Sequence, residues 1–126
     1  MPDRNVVNLP NALNQIIDHW SPKVLAQVND QFVKIAKIKN EFVWHKHDNE
    51  DELFYIIKGN LLMQYEDKTI ELNEGDMHVV PKGVMHNPVA KEECWIMLVE
   101  PVATAHTGNV VTGRSRSLEE QMQAEV

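Results

Sequence analysis

The feature that most restricts this chain is the close rhythm of short apolar runs and turn signals between Lys23 and Glu100. Runs rich in Val, Ile, Phe, Tyr and Trp occupy residues 24–28, 32–38, 42–47, 53–57, 61–65, 69–72, 77–80 and 94–99. Turn-forming residues separate them: Asn29-Asp30, Lys58-Gly59-Asn60, Asp67-Lys68, Asn73-Glu74-Gly75-Asp76 and Lys82-Gly83. Such runs are strand-sized, and their β-branched and aromatic residues suit a pleated surface. Close spacing of this kind predicts an all-β antiparallel sandwich or small barrel, and about eight strands in one unit suit a jelly roll.

The flanks read differently. Asn8 can cap a helix and Pro10 suits a first turn. Leu9, Leu13, Ile16, Ile17 and Trp20 then form an apolar stripe at helical period, which predicts a helix ending before Ser21-Pro22. After Pro101 the chain becomes small and polar and reads as irregular chain lying on the domain. Ser117 and Glu120 fit a capping box, so a short helix is expected over residues 118–125.

A chain of 126 residues suits one domain, taken as 1–126 with a barrel core at about 24–101. Nineteen acidic residues against 12 basic ones leave a formal charge of −7, which argues against binding nucleic acid. Cys94 is the single cysteine, so no intrachain disulfide exists. It opens an apolar run and reads as a buried, inert thiol. No apolar run approaches the roughly 20 residues of a membrane helix, and the first residues lack the core of a signal peptide. A soluble, cytoplasmic protein without a membrane partner is expected.

The chemistry concentrates in Trp44-His45-Lys46-His47-Asp48-Asn49-Glu50-Asp51-Glu52. Residues two apart on a strand share a face, so His45 and His47 project together. Glu50, Asp51 and Glu52 offer carboxylates nearby, and His86 follows later. Imidazoles with a carboxylate form a mixed site suited to first-row metals. Taken alone, a His-x-His pair is a weak signal and an acidic run is usually a solvated loop.

The spacing of the whole region resembles the cupin superfamily. Its first motif reads Gly-x5-His-x-His-x(3,4)-Glu-x6-Gly; here His45 and His47 are followed by four residues, Glu52, six residues and Gly59. Its second reads Gly-x5-Pro-x-Gly-x2-His-x3-Asn; here Gly75, Pro81, Gly83 and His86 keep the spacing. Lys39 and Ala90 replace the first glycine and the final asparagine. The resemblance covers about residues 24–101. It implies a small single-domain cupin, of the kind described as mannose-6-phosphate-isomerase-like, with a double-stranded β-helix fold. It implies that His45, His47, Glu52 and His86 bind one divalent transition metal (Fe, Mn, Ni, Zn, Co or Cu). Glu52 is preferred over Glu50 and Asp51 because only Glu52 stands six residues before Gly59.

Four protein ligands leave room for water or substrate at the ion. Alternation from Glu52 puts Phe54 and Ile56 on the ligand face; Val43 shares the face of His45 and His47, and Met63 and Trp95 are further candidates for the pocket wall. Each could equally be plain core. His78 reads as a surface or pocket-rim residue, and His106 as a solvated loop histidine that could alternatively fold back over the site. The resemblance implies a metal-dependent enzyme on a small molecule, with O2-dependent oxidation ranked above sugar-phosphate isomerisation. The ranking reflects the arginines Arg4, Arg114 and Arg116, all outside the barrel region. A non-catalytic ligand sensor is the alternative class. A homodimer joined through barrel edges is expected, with residues 24–28 and 32–38 as candidates.

Overall fold

The computed structural model describes residues 6–108 and 115–122. Within them, seven strands form a jelly-roll barrel: β1 (Lys23–Val28), β2 (Gln31–Glu41), β3 (Glu52–Lys58), β4 (Asn60–Tyr65), β5 (Thr69–Asn73), β6 (Met77–Val80) and β7 (His86–Pro101). Two short helices flank them, α1 (Leu9–Asn14) and α2 (Leu118–Met122). All strand pairings are antiparallel, in the order β1-β2-β7-β3-β6, with β4 joining β5 to β7.

β7 is the spine of the barrel. One of its edges follows β2 from Pro101 to Val89. Its other edge pairs with β3 through Trp95–Val99 and then with β4 through His86–Val89. The change of partner coincides with a register shift between Ile38 and Asn40 of β2. Such irregularities bend a strand, and here they help the sheet curl on itself.

Alternation along the strands divides the apolar residues between two layers. Ala36 and Ile38 of β2, Phe54 and Ile56 of β3, and Cys94, Ile96 and Leu98 of β7 face the barrel interior. Ile35 and Leu25 face outward, where α1 covers them with Ala12, Leu13 and Ile16, and where Trp95 and Met97 also pack. Burial raises the Cys94 thiol to about 12 and keeps it an inert core residue.

The helix and strand expectations hold with three corrections. The α1 start is capped as read, Asn8 Oδ1 accepting from the Asn11 N–H at 3.0 Å, but the helix stops at Asn14 instead of running towards Trp20. Beyond it Trp20 donates its backbone N–H to the Lys37 carbonyl and its indole N–H to the Lys39 carbonyl. These bonds to β2 draw the chain out of helical path and leave Ile17 87% exposed. Residues 42–47 form no ladder strand; they carry one isolated bridge, His45 to His86. Conversely, β7 begins at His86, eight residues before the apolar run at 94–99 suggested. The capping box before α2 is present in both directions, Ser117 N–H to Glu120 Oε1 at 3.0 Å and Glu120 N–H to Ser117 Oγ at 3.1 Å. The end of the expected 118–125 helix lies outside the described residues, as do Arg4 and Arg114.

Gly59 joins β3 to β4 at φ +97°, a backbone region that side chains rarely adopt. A Cβ there would also stand 3.0 Å from the Glu93 carbonyl oxygen and 3.1 Å from the Cys94 Cα. Gly59→Ala is therefore expected to lower unfolding stability by about 1–3 kcal/mol. Urea denaturation measures this, and an unchanged midpoint would show that the hairpin relaxes without cost.

Candidate metal centre

Four side chains separated along the sequence meet at one end of the barrel. His45 and His47 sit on the segment after β2. The His45 N–H donates to the His86 carbonyl at 3.0 Å, and the His86 N–H donates back at 2.9 Å. The Gly83 N–H meets the His47 carbonyl at 2.7 Å, so the segment runs alongside the approach to β7. Glu52 is the first residue of β3, on the same inward face as Phe54 and Ile56.

One ligand atom from each of His45, His47, Glu52 and His86 lies within 4.8 Å of all the others. All four residues are at most 5% exposed. Glu52 Oε1 stands 3.6 Å from His47 Nε2 and 3.7 Å from His86 Nε2. Opposite ligands on a transition metal, each at about 2.1 Å, are about 4.2 Å apart, so the cluster is of ion size. The orphaned nitrogens make the same point. His45 Nδ1 pairs with the Val43 carbonyl at 2.8 Å, and His86 Nδ1 with the Val84 carbonyl at 2.9 Å. A carbonyl only accepts, so both Nδ1 atoms carry the proton and both Nε2 atoms present a lone pair. His86 Nε2 and both ring nitrogens of His47 are buried with no hydrogen-bond partner. Unpaired buried polar atoms are costly, and a shared cation would satisfy His86 Nε2 and one ring nitrogen of His47. The residues present thus fit a divalent transition metal.

Electrostatics favour the unprotonated forms of His45, His47 and Glu52. Burial, helped by the neighbouring His86, lowers His45 to about 4, and burial lowers His47 as well. Burial alone would raise Glu52, but the His86 ring, the Glu100 carboxyl and His47 outweigh it and hold the acid at about 2. Glu100 goes the other way: burial and the Glu52 charge push it well above the usual carboxylate range. Lys34 opposes that rise, with Nζ 3.0 Å from Glu100 Oε2, and it also donates to Gln121 Oε1 at 2.6 Å.

A small cavity of about 30 Å³ adjoins the cluster. Trp20, Phe42, Ile38, Phe54, Pro88 and Leu98 are on its wall, together with His45, Glu52 and His106. Trp20 stacks on Phe42 with centroids 4.5 Å apart. Of the residues expected on the wall, Phe54 lines the cavity. Ile56 and Met63 are fully buried in the interior core and Val43 packs against it, without reaching that wall. Trp95 does not face the site: it lies on the outer side of β7, its ring under the ammonium groups of Lys37 at 4.8 Å and Lys58 at 4.6 Å. The reason is the two-residue period, since Cys94 and Ile96 beside it point inward.

His106 also departs from the solvated-loop expectation. The segment after β7 folds back, burying Thr104 and Thr107 and bringing His106 onto the cavity wall, 5.2 Å from Phe42 between ring centroids. Gly108 packs so tightly on the Lys46 carbonyl that a side chain would collide with it. No local pattern marks His106, Trp20 or Phe42 as site residues, because the contacts that place them are tertiary. His78 stays outside the ligand set and pairs with the Tyr65 hydroxyl at 2.6 Å. Asp51 is occupied with the Lys82 N–H at 2.9 Å.

The lowered histidines carry a pH signature in metal-free protein. An unfolded His45 takes up a proton near 6.5, whereas the folded one resists until about 4. Between those values the unfolded state binds more protons, so folding stability falls as pH drops from 6.5 to 4. The full effect for His45 is on the order of 3 kcal/mol. Urea titrations in chelator across that range measure it, and a flat profile would contradict the buried, neutral imidazole.

The description "Cupin domain" belongs to the family model that matches residues 31–99. The uncharacterized protein YdbB of Bacillus subtilis (strain 168) is 35% identical over 80 residues, covering 63% of this chain and 71% of that protein. A 3-hydroxyanthranilate 3,4-dioxygenase of Cupriavidus pinatubonensis is 32% identical over 94 residues, 68% of this chain; the match spans 50% of the dioxygenase. The crystal structure of a cupin-2 domain containing protein from Shewanella frigidimarina superposes with a TM-score of 0.75 at 46% identity, covering 76% of this chain and 94% of that one. With the family model spanning more than half of the sequence and the barrel seen in the fold, the chain belongs to the cupin family.

Proposed function

We propose that this cupin binds one divalent transition metal through His45, His47, Glu52 and His86 and performs oxygen-dependent oxidation of a small molecule there. The observation that carries the metal is the set of buried imidazole nitrogens without partners, gathered within 4.8 Å of a carboxylate. When bound, such an ion supplies Lewis acidity and redox chemistry at its remaining coordination positions. The protein's own contribution is to hold the Nδ1 protons of His45 and His86 on backbone carbonyls, keep Glu52 ionised, and exclude bulk water with Phe42, Phe54, Leu98 and Trp20.

The wall of the cavity supports oxygen chemistry over sugar-phosphate isomerisation. It is largely apolar and carries neither Arg nor Lys, one of which a phosphate ester would need. Among the described residues Arg116 is the one arginine, and its Nη1 donates to the Ser115 carbonyl. The likeness to a dioxygenase agrees with this reading. A sensor that binds a ligand without turnover uses the same apolar wall and is the competing class. The proposal includes a cytoplasmic homodimer joined along β1, which lies at an open edge of the sheet.

Elemental analysis of purified protein is expected to find about one transition metal per chain, lost in His45→Ala and Glu52→Ala and retained in Glu50→Ala. Loss in Glu50→Ala with retention in Glu52→Ala would reassign the carboxylate. For the reaction, iron-loaded protein given 3-hydroxyanthranilate and related small aromatic substrates should consume O2 in an oxygen-electrode assay, and Glu52→Ala should not. Stoichiometric metal without O2 uptake on any substrate tried would favour the sensor.

A further inference from the structure

His106 lies outside the four-ligand set, yet it lines the same cavity as His45 and Glu52. Its ring packs on Phe42, which in turn stands edge-on to His45 with centroids 5.3 Å apart. Its Nδ1 is buried and meets no hydrogen-bond partner. The other side chains on that wall able to donate are committed: Trp20 gives its indole N–H to the Lys39 carbonyl and His45 its Nδ1 proton to the Val43 carbonyl. Leaving a buried ring nitrogen unpaired is costly. The fold holds His106 in place regardless: the Thr104 N–H and hydroxyl both donate to the Pro101 carbonyl, and Gly108 abuts Lys46. A hydrogen-bonding group inside the cavity would remove that cost.

The enclosed space limits the group that can meet His106 beside the ion. The cavity offers about 30 Å³, two to three times the roughly 10–15 Å³ that a single water needs. We propose that His106 is a positioning residue, hydrogen-bonding a ligand of one to three heavy atoms that binds the ion held by His45, His47, Glu52 and His86. The chemical class is a small oxygen or nitrogen donor, such as water, dioxygen or a linear triatomic anion. The inference rests on the metal-site reading and adds to it a residue on the segment after β7.

Azide is a suitable probe, titrated into cobalt-loaded protein and followed by visible absorption. His106→Ala is expected to weaken azide binding about three- to tenfold, the equivalent of one neutral hydrogen bond. Cobalt stoichiometry should stay unchanged, and His106→Gln, which keeps a donor, should recover part of the affinity. Unchanged azide affinity in His106→Ala at full cobalt loading overturns the inference alone. Equal weakening in the Ala and Gln variants overturns it too, because it would indicate packing and not a hydrogen bond. Wild-type protein that takes up no cobalt overturns the metal reading and the inference together.

Discussion

Two backbone hydrogen bonds between His45 and His86 govern the site. They join residues distant in sequence into one antiparallel bridge, with N···O distances of 3.0 and 2.9 Å. The bridge prolongs pairing that begins further along: Glu41 opposite Val89, then the Phe42 N–H on the Pro88 carbonyl, then His45 on His86. Each contact sets the register of the next. Side-chain direction on an extended chain flips with every residue, so a slip of one position would turn a histidine out of the barrel.

The interior that results is expensive. His45, His47, Glu52, His86, Lys34, Glu100 and Gln121 are all buried. Buried charges add little net stability even when paired, so their presence points to a use. Behind Glu52 the buried polar groups form a continuous network. Glu100 leans on Glu52, Lys34 bonds Glu100 and Gln121, and the Gln121 side-chain amide donates to the Arg116 carbonyl at 3.0 Å. Gln121 belongs to α2, a helix too short to persist alone. The network therefore ties the C-terminal helix to the interior behind the His/Glu cluster.

Strands β1 to β6 were legible because each apolar run is short and most end at a turn residue; β7 was legible only in part. Glu52 was legible through its distance to Gly59, whose left-handed backbone makes that position depend on glycine. The α1 boundary was not, since the stripe through Ile17 and Trp20 continues while the chain leaves the helix to bond β2. Trp95 was misplaced because an isolated aromatic does not declare its face; only the register of β7 against β2 and β3 does. His106 was illegible for a related reason: it sits in a polar segment whose position is decided by packing on Lys46 and Phe42.

The sequence by itself determined the class of fold and the identity of the four clustered side chains. Both are encoded locally, in strand-length patterning and in fixed spacings between chemically distinctive residues. The tertiary structure alone decided how small the cavity is, which aromatic rings wall it, and that a histidine from the segment after β7 stands beside it. Those properties come from contacts between segments far apart in sequence, and no short-range periodicity records which distant surfaces will meet.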